Sequence, residues 1–153
     1  MPPYRDSAAF GKRMEHYLIG LMLKDGLDCY IPLVDDFGID VVIRKPDGKF
    51  IEVQIKARSS TVADGDAALF SAMTHEKRSN YYFLFYSKRL DTMFIMNSAE
   101  YLKECSTNKT GKNKGKRSIW FNGYRTNKET GQKEEYVYPR FEKYIAKDFS
   151  RFQ

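Results

Sequence analysis

The sequence predicts an α/β domain in which helices pack on a β-sheet, and three stretches carry that prediction. Residues 7–24 hold an amphipathic helical stripe, residues 37–60 alternate polar and apolar side chains on both sides of a tight turn, and residues 81–86 and 92–96 are apolar runs of strand length. At 153 residues the chain can bury about two thirds of its unfolded surface, so one domain spanning 1–153 is expected. The sequence contains no internal repeat.

Asp6 or Ser7 is placed to cap the first helix, and Asp25 with Gly26 ends it. Phe10, Met14, Tyr17, Leu18 and Leu21 form its apolar stripe, while Glu15 lies off that stripe without being opposite it. The neighbouring His16 reads as a surface residue. Cys29 to Val34 reads as a strand that Pro32 confines to an edge or a bulge. In the hairpin, Ile39, Val41 and Ile43 alternate with Asp40, Val42 and Arg44. Lys45 to Gly48 supplies the turn, and Ile51, Val53, Ile55 and Ala57 then alternate with Phe50, Glu52, Gln54 and Lys56. A polar turn around Gly65 leads to a helix expected over Ala67 to Arg78. Tyr81 to Tyr86 and Thr92 to Met96 read as buried central strands, and Asn97 or Ser98 caps a short helix packed on the sheet. Ser106 to Arg117 reads as a mobile basic loop. Ile119 to Tyr124 and Glu135 to Tyr138 read as a strand pair, and Phe141, Ile145 and Phe149, at helical spacing, as a final amphipathic helix.

Hydrophobic residues make up 42% and charged residues 30% of the chain, the balance of a soluble globular protein rather than a disordered one. The N-terminus lacks a basic region followed by an apolar core, and no apolar run approaches the roughly 20 residues that cross a bilayer. A cytoplasmic location without membrane contact is expected. Cys29 and Cys105 are too few for a disulfide framework or a cysteine zinc site and read as packing residues. The net charge of +6 is local in origin, because Lys103 to Lys133 holds nine Lys or Arg against two Glu. Such a segment suits a polyanion, which releases condensed counterions on binding, and equally a solvated surface loop.

The hairpin carries more polar residues than a hairpin needs. Glu52, Gln54 and Lys56 project from one face at steps of roughly 6.6 Å. A register that sets Asp40 beside Gln54 and Lys56 would bring an acid, a neutral oxygen donor and an ammonium to one point, a combination able to hold a hard divalent cation and a phosphate. Arg58, Ser59, Ser60, His75, Lys77 and Arg78 are phosphate-contact candidates downstream. Lys109, Lys112, Lys114, Lys116 and Arg117 are candidates for contacts to a nucleic-acid backbone. Trp120, Phe121 and Tyr124 could stack on bases, with core packing the favoured reading.

The order of helix with Glu15, Gly38-Ile39-Asp40, Gln54-Ile55-Lys56, then helix and apolar strand resembles the PD-(D/E)xK nuclease superfamily over about residues 7–96. The resemblance implies a restriction-endonuclease-like core, a central mixed β-sheet flanked by helices, here followed by a basic loop and a C-terminal helix. It implies a metal-dependent endonuclease that hydrolyses phosphodiester bonds with Mg²⁺ or Mn²⁺, with DNA placed ahead of RNA as the substrate. Asp40, Lys56 and Glu15 match the superfamily's motif, and Gln54 stands where an acid is usual, as in some branches. Asp40, Glu15 and Gln54 would then ligate metal, Lys56 would serve the water or the phosphate, and Glu52 is the alternative acid. A single centre per domain makes a homodimer an expectation for double-strand cutting. The alternatives are an inactive nucleic-acid-binding module on the same fold and a structural or interaction domain.

Overall fold

The computed structural model describes residues 5–153; residues 1–4, part of the N-terminal stretch in which no leader is expected, lie outside the described residues. Helix α1 (Ser7–Lys24) begins at the expected cap, where the Asp6 carboxylate accepts the Ala9 amide at 2.7 Å and satisfies a first-turn N–H that has no helical partner. Its buried residues are Phe10, Leu18, Ile19 and Met22, whereas Tyr17 is half exposed, so the packed face is turned toward Ile19 relative to the predicted stripe. Glu15 lies one helical turn before Ile19 and is carried toward the buried side, with only 13% of its side chain exposed.

Six strands form the main sheet in the order β1 (Asp28–Tyr30), β2 (Val41–Arg44), β3 (Phe50–Arg58), β5 (Tyr81–Ser87), β6 (Thr92–Asn97) and β11 (Ile145–Ala146). β3 and β5 run parallel and the other neighbours antiparallel, which makes the sheet mixed, as expected. A second sheet joins β4 (Leu69–Met73), β8 (Arg117–Trp120) and β7 (Ser106–Thr107), and β9 (Asn122–Thr126) pairs with β10 (Lys133–Val137). One face of the main sheet packs on α1 through Val41, Ile43, Val53, Ile55, Leu84 and Ile95. The other face meets α2 (Ser98–Glu104), β4, β8 and the C-terminal segment through Phe70, Phe83, Phe85, Phe94, Tyr101, Phe121 and Phe141. β5 is therefore buried on both faces, which is why its sequence reads as a continuous apolar run. α2 carries a capping box, with Asn97 Oδ1 accepting the Glu100 amide and Glu100 Oε1 accepting the Asn97 amide.

Four expectations are corrected. The strand after Cys29 stops at Tyr30, where its pairing with β2 ends at Val42, and Pro32 beyond it cannot donate; Ile31, Leu33 and Val34 are exposed. Ala67 to Arg78 is a turn, the strand β4 and an irregular segment rather than a helix. Ala67, Phe70 and Met73 are all buried, a helix-like spacing of three, because a β-bulge inserts one residue between Phe70 and Met73. Ile119 to Tyr124 is two strands, broken at Phe121, whose amide donates to Ala68 O and whose carbonyl accepts the Tyr138 amide. The expected final helix is a 3-10 turn (Pro139–Tyr144), the short strand β11 and a second 3-10 turn (Ser150–Phe152). Phe141 enters one core and Phe149 the other, so the chain must pass around the sheet edge, and a single helix cannot deliver one stripe to both faces. Ser106 to Arg117 is ordered at its ends as β7 and β8, with Gly115 N–H donating to Asn108 O across the connection. Cys29 and Cys105 are free thiols half buried against the two cores. Among the described residues no helix is long and apolar enough to cross a membrane.

Candidate active site

The β2–β3 register pairs Val41 with Val53, and β3 then runs on past the end of β2. Asp40 N–H closes the ladder on Val53 O at 2.9 Å. The Ile55 amide, which a longer β2 would have taken, donates instead to Asp40 Oδ2 at 2.7 Å. Period two puts Glu52, Gln54 and Lys56 on the side of the sheet away from α1, and Asp40, the residue before β2, stands opposite Gln54 with its carboxylate turned to the Ile55 amide at the end of the ladder. The three residues central to the sequence reading come together where the hairpin opens.

Gln54 is held from two directions. Tyr81 Oη lies 2.6 Å from Gly38 O and 2.9 Å from Gln54 Oε1, one phenolic proton serving two acceptors. Gly38 has φ 64°, and a Cβ built there would come 3.0 Å from Gln54 Nε2 and 3.1 Å from Oε1. Glycine is thus required both by the left-handed backbone and by the amide lying against it. The preceding Phe37 has φ 53°, a conformation that costs a non-glycine residue roughly 1–3 kcal/mol. Arg78 pins it, donating from Nη1 to Phe37 O while Nη2 donates to Glu52 Oε1 at 3.2 Å. The same guanidinium lies 4.3 Å from the centre of the Tyr81 ring. Glu52 and Arg78 are therefore engaged with each other in holding the loop that leads into Asp40.

Burial is the main reason that the Asp40 carboxyl is pushed up to about 6; the Ile55 hydrogen bond opposes it, the negative charges of Glu15 and Asp35 add to it, and the Lys56 ammonium counters it. Glu15 thus acts on Asp40 electrostatically. Lys12 Nζ lies 3.1 Å from Glu15 Oε1, and that hydrogen bond, with the charge of Glu15 and, in smaller measure, those of Asp35 and Asp40, holds the lysine proton more tightly than usual. Among the described residues no group of three His, Cys, Asp or Glu side chains is gathered for a metal. Two carboxylates and a neutral amide oxygen are all hard donors, which fits a cation such as Mg²⁺ that keeps several waters and does not fit a zinc site or a caged calcium.

The remaining candidates are dispersed. Arg58 donates from Nε to Asp66 O at 3.2 Å, and Lys77 is exposed. Ser59 Oγ is paired with Thr61 Oγ1, and Ser60 O accepts from Arg89. His75 is buried, with Nε2 2.7 Å from Ser98 Oγ and its ring stacked on Tyr81, which removes it from the phosphate contacts. Burial, with the nearby Arg78 and Arg117 charges, lowers its pKa to about 4. Lys109, Lys112 and Lys114 are exposed and Lys116 partly so, whereas Arg117 turns inward and donates to His75 O at 2.9 Å. Phe121 is fully buried; Trp120 and Tyr124 are partly exposed, and Trp120 Nε1 donates to Gly65 O at 2.9 Å.

Sequence reading missed Tyr81, Asp35 and Lys12. Lys12 was legible as the i,i+3 partner of Glu15. Tyr81 lay inside an aromatic run that reads as core, and only the parallel pairing of β3 with β5, with Glu52 opposite Tyr81, brings its hydroxyl to the site.

No family model matches the chain, and no curated protein matches it in sequence. Among solved structures, a bacterial homing endonuclease, I-Ssp6803I, superposes with a TM-score of 0.56 at 16% sequence identity, over 92% of this chain and 88% of that one. The chain therefore has the fold of a homing endonuclease along nearly its whole length, with Asp40, Gln54 and Lys56 assembled at the open end of its central hairpin.

Proposed function

We propose that this chain is a metal-dependent endonuclease of the PD-(D/E)xK type, with Gln54 in the second acidic position and DNA as its substrate. The observation that carries the reading is the position of Asp40 beside Gln54 and within electrostatic reach of Lys56 at the point where β3 outruns β2, in the fold of an endonuclease. Asp40, with Oδ2 engaged by the Ile55 amide, offers Oδ1 as a ligand. Glu15 supplies a second carboxylate and Gln54 Oε1 a neutral oxygen. A Mg²⁺ or Mn²⁺ ion held there would act as a Lewis acid on a phosphate oxygen and make a bound water more acidic. Lys56 orients the attacking water or lies against the phosphate, where its ammonium stabilises the charge that builds on the phosphoryl oxygens. The exposed lysines of the 109–116 segment hold the nucleic-acid backbone without reading bases. One centre per chain means that double-strand cleavage takes two chains or two visits.

Two features favour a second reading, an inactive nucleic-acid-binding module: a neutral Gln54, and no three-acid group among the described residues. Wild type and Asp40→Ala incubated with labelled single- and double-stranded DNA and RNA, in Mg²⁺, Mn²⁺ or chelator, separate the two. Metal-dependent products that vanish in Asp40→Ala are expected. Intact nucleic acid in every lane, with a shifted band that fades as salt rises, would overturn the nuclease in favour of the binder.

A further inference from the structure

A cavity of about 340 Å³ opens beside the candidate site, between β3 and β4. Its β3 wall carries Gln54, Lys56 and Arg58, and its β4 wall carries Ser71, Ala72 and Thr74. Two of these six, Gln54 and Lys56, belong to the proposed reaction centre. The cavity has no carboxylate in its lining, which carries the Lys56 ammonium and the Arg58 guanidinium, the latter also 3.8 Å from the Asp66 carboxylate outside it, facing two hydroxyls.

The β4 wall has an unusual backbone. β4 pairs with β8 as Phe70 with Ile119 and Met73 with Arg117, so Ser71 and Ala72 together oppose the single residue Ser118. Ala72 adopts φ 59°, unfavourable for a residue with a Cβ, and its amide is tied to Ser118 Oγ at 3.1 Å. Ser118 in turn donates to Asn108 Oδ1 at 3.2 Å, which anchors the bulge to the segment leading into the basic loop. The bulge keeps both Phe70 and Met73 in the core and leaves Ser71 exposed on the cavity wall. Bulges beside reaction centres commonly re-aim one side chain, and strain of this kind persists where the surroundings enforce it.

Resting on the nuclease reading above, we infer that this cleft seats the sugar–phosphate strand being cut, and that the Ser71 hydroxyl donates to a phosphate oxygen opposite Lys56 and Arg58. The geometry assigns each wall a part. The cations neutralise the phosphate and the bulge supplies a short, fixed donor that cannot swing away as a lysine can. Ser71 is thus a substrate-contact residue set by tertiary structure, outside the acid–lysine cluster.

The test measures binding in chelator, where no cleavage occurs, by fluorescence anisotropy of a labelled DNA duplex. Ser71→Asp places a negative charge opposite Lys56 and Arg58 and is expected to weaken binding at least about tenfold, while Ser71→Ala changes it about threefold or less. Both variants should melt at the wild-type temperature, since Ser71 is exposed and lies in the bulge. Thr74→Asp, on the same wall, provides a second charge insertion should Ser71→Asp fold poorly. Replacing single phosphates by neutral methylphosphonates should reveal a position that costs wild type affinity and is silent in Ser71→Asp. Undiminished binding by both Asp variants overturns the proposal and leaves the nuclease reading standing, as does a methylphosphonate cost retained in full. Wild type that neither binds nor cuts DNA overturns the nuclease reading itself.

Discussion

Gly38→Ala tests whether Gln54 must lie where the fold places it. The substitution acts in two ways with different readouts. First, φ 64° is left-handed, and a Cβ there costs about 1–2 kcal/mol of backbone strain. In a chain of this size 1 kcal/mol moves Tm by about 2–4 °C, so a fall of about 2–8 °C is expected. Second, the new Cβ would stand 3.0–3.1 Å from the Gln54 amide, tighter than most carbon contacts, and the amide must give by a few tenths of an ångström. Because Gln54 shares the Tyr81 hydroxyl with Gly38 O, that movement disturbs the whole entry to Asp40. Misplacement by about 1 Å costs about 100-fold in rate, which is the upper bound on the loss from this smaller shift. Gly111→Ala is the matched control: φ is 79°, and nothing lies within 4 Å of the added Cβ. It should lose similar stability and keep its cleavage rate. Melting by circular dichroism and single-turnover cleavage of labelled DNA read the two effects separately. Equal cleavage by Gly38→Ala and Gly111→Ala would refute the placement of Gln54 against Gly38.

Lys56→Ala should abolish cleavage with little change in Tm, and turnover at the wild-type rate would remove lysine from the mechanism. Asp40 and His75 should give opposing pH dependences. The Asp40 carboxyl titrates near 6 when folded against 3.8 when free, so its ionisation destabilises the fold as pH rises from 3.8 through 6. His75 titrates near 4 when folded against 6.5 when free, so its contribution is present above 6.5 and is lost as pH falls through 4. Asp40→Asn should therefore raise Tm at neutral pH and steepen the loss of Tm on acidification, and an unchanged pH profile would contradict the burial of Asp40. Arg89 donates to the carbonyls of Ser60, Val62 and Ala63 and to Glu135, tying the loop after β3 to β10. Arg89→Met removes the counter-charge of a largely buried Glu135, which keeps only the Ala67 and Asn122 amides, and should cost up to about 3 kcal/mol, visible as a lower urea midpoint. Replacing Lys109, Lys112 and Lys114 by Gln should lower the slope of log K against log salt by up to about 0.9 for each lysine that meets a phosphate. A slope equal to that of wild type would place the nucleic acid elsewhere.

Much of the central sheet was legible because its signals are local. Asp6 before an amphipathic stretch marks α1, Lys45 to Gly48 marks the hairpin turn, and Asn97 with Glu100 marks the cap of α2. The grouping of Asp40, Gln54 and Lys56 was legible for the same reason, since a short turn sets the register and period two sets the face. The Ala67 to Met73 stretch was misread because a bulge and a helix both bury residues three apart, and only the partner strand β8, some fifty residues later, distinguishes them. The C-terminal stripe was misread because its aromatic residues belong to opposite faces of the sheet.

By itself the amino-acid order determined the α/β class, the first helix, the hairpin and the shared face of the amide and the lysine. Tertiary structure decided the rest. The parallel pairing of β3 with β5 brings the Tyr81 hydroxyl to Gln54, the approach of Arg78 holds the Phe37 carbonyl and Glu52, and the β4–β8 register turns Ser71 into the cleft. Each depends on residues tens of positions apart whose pairing is selected by burial across the whole sheet, and no local period or spacing encodes such a choice.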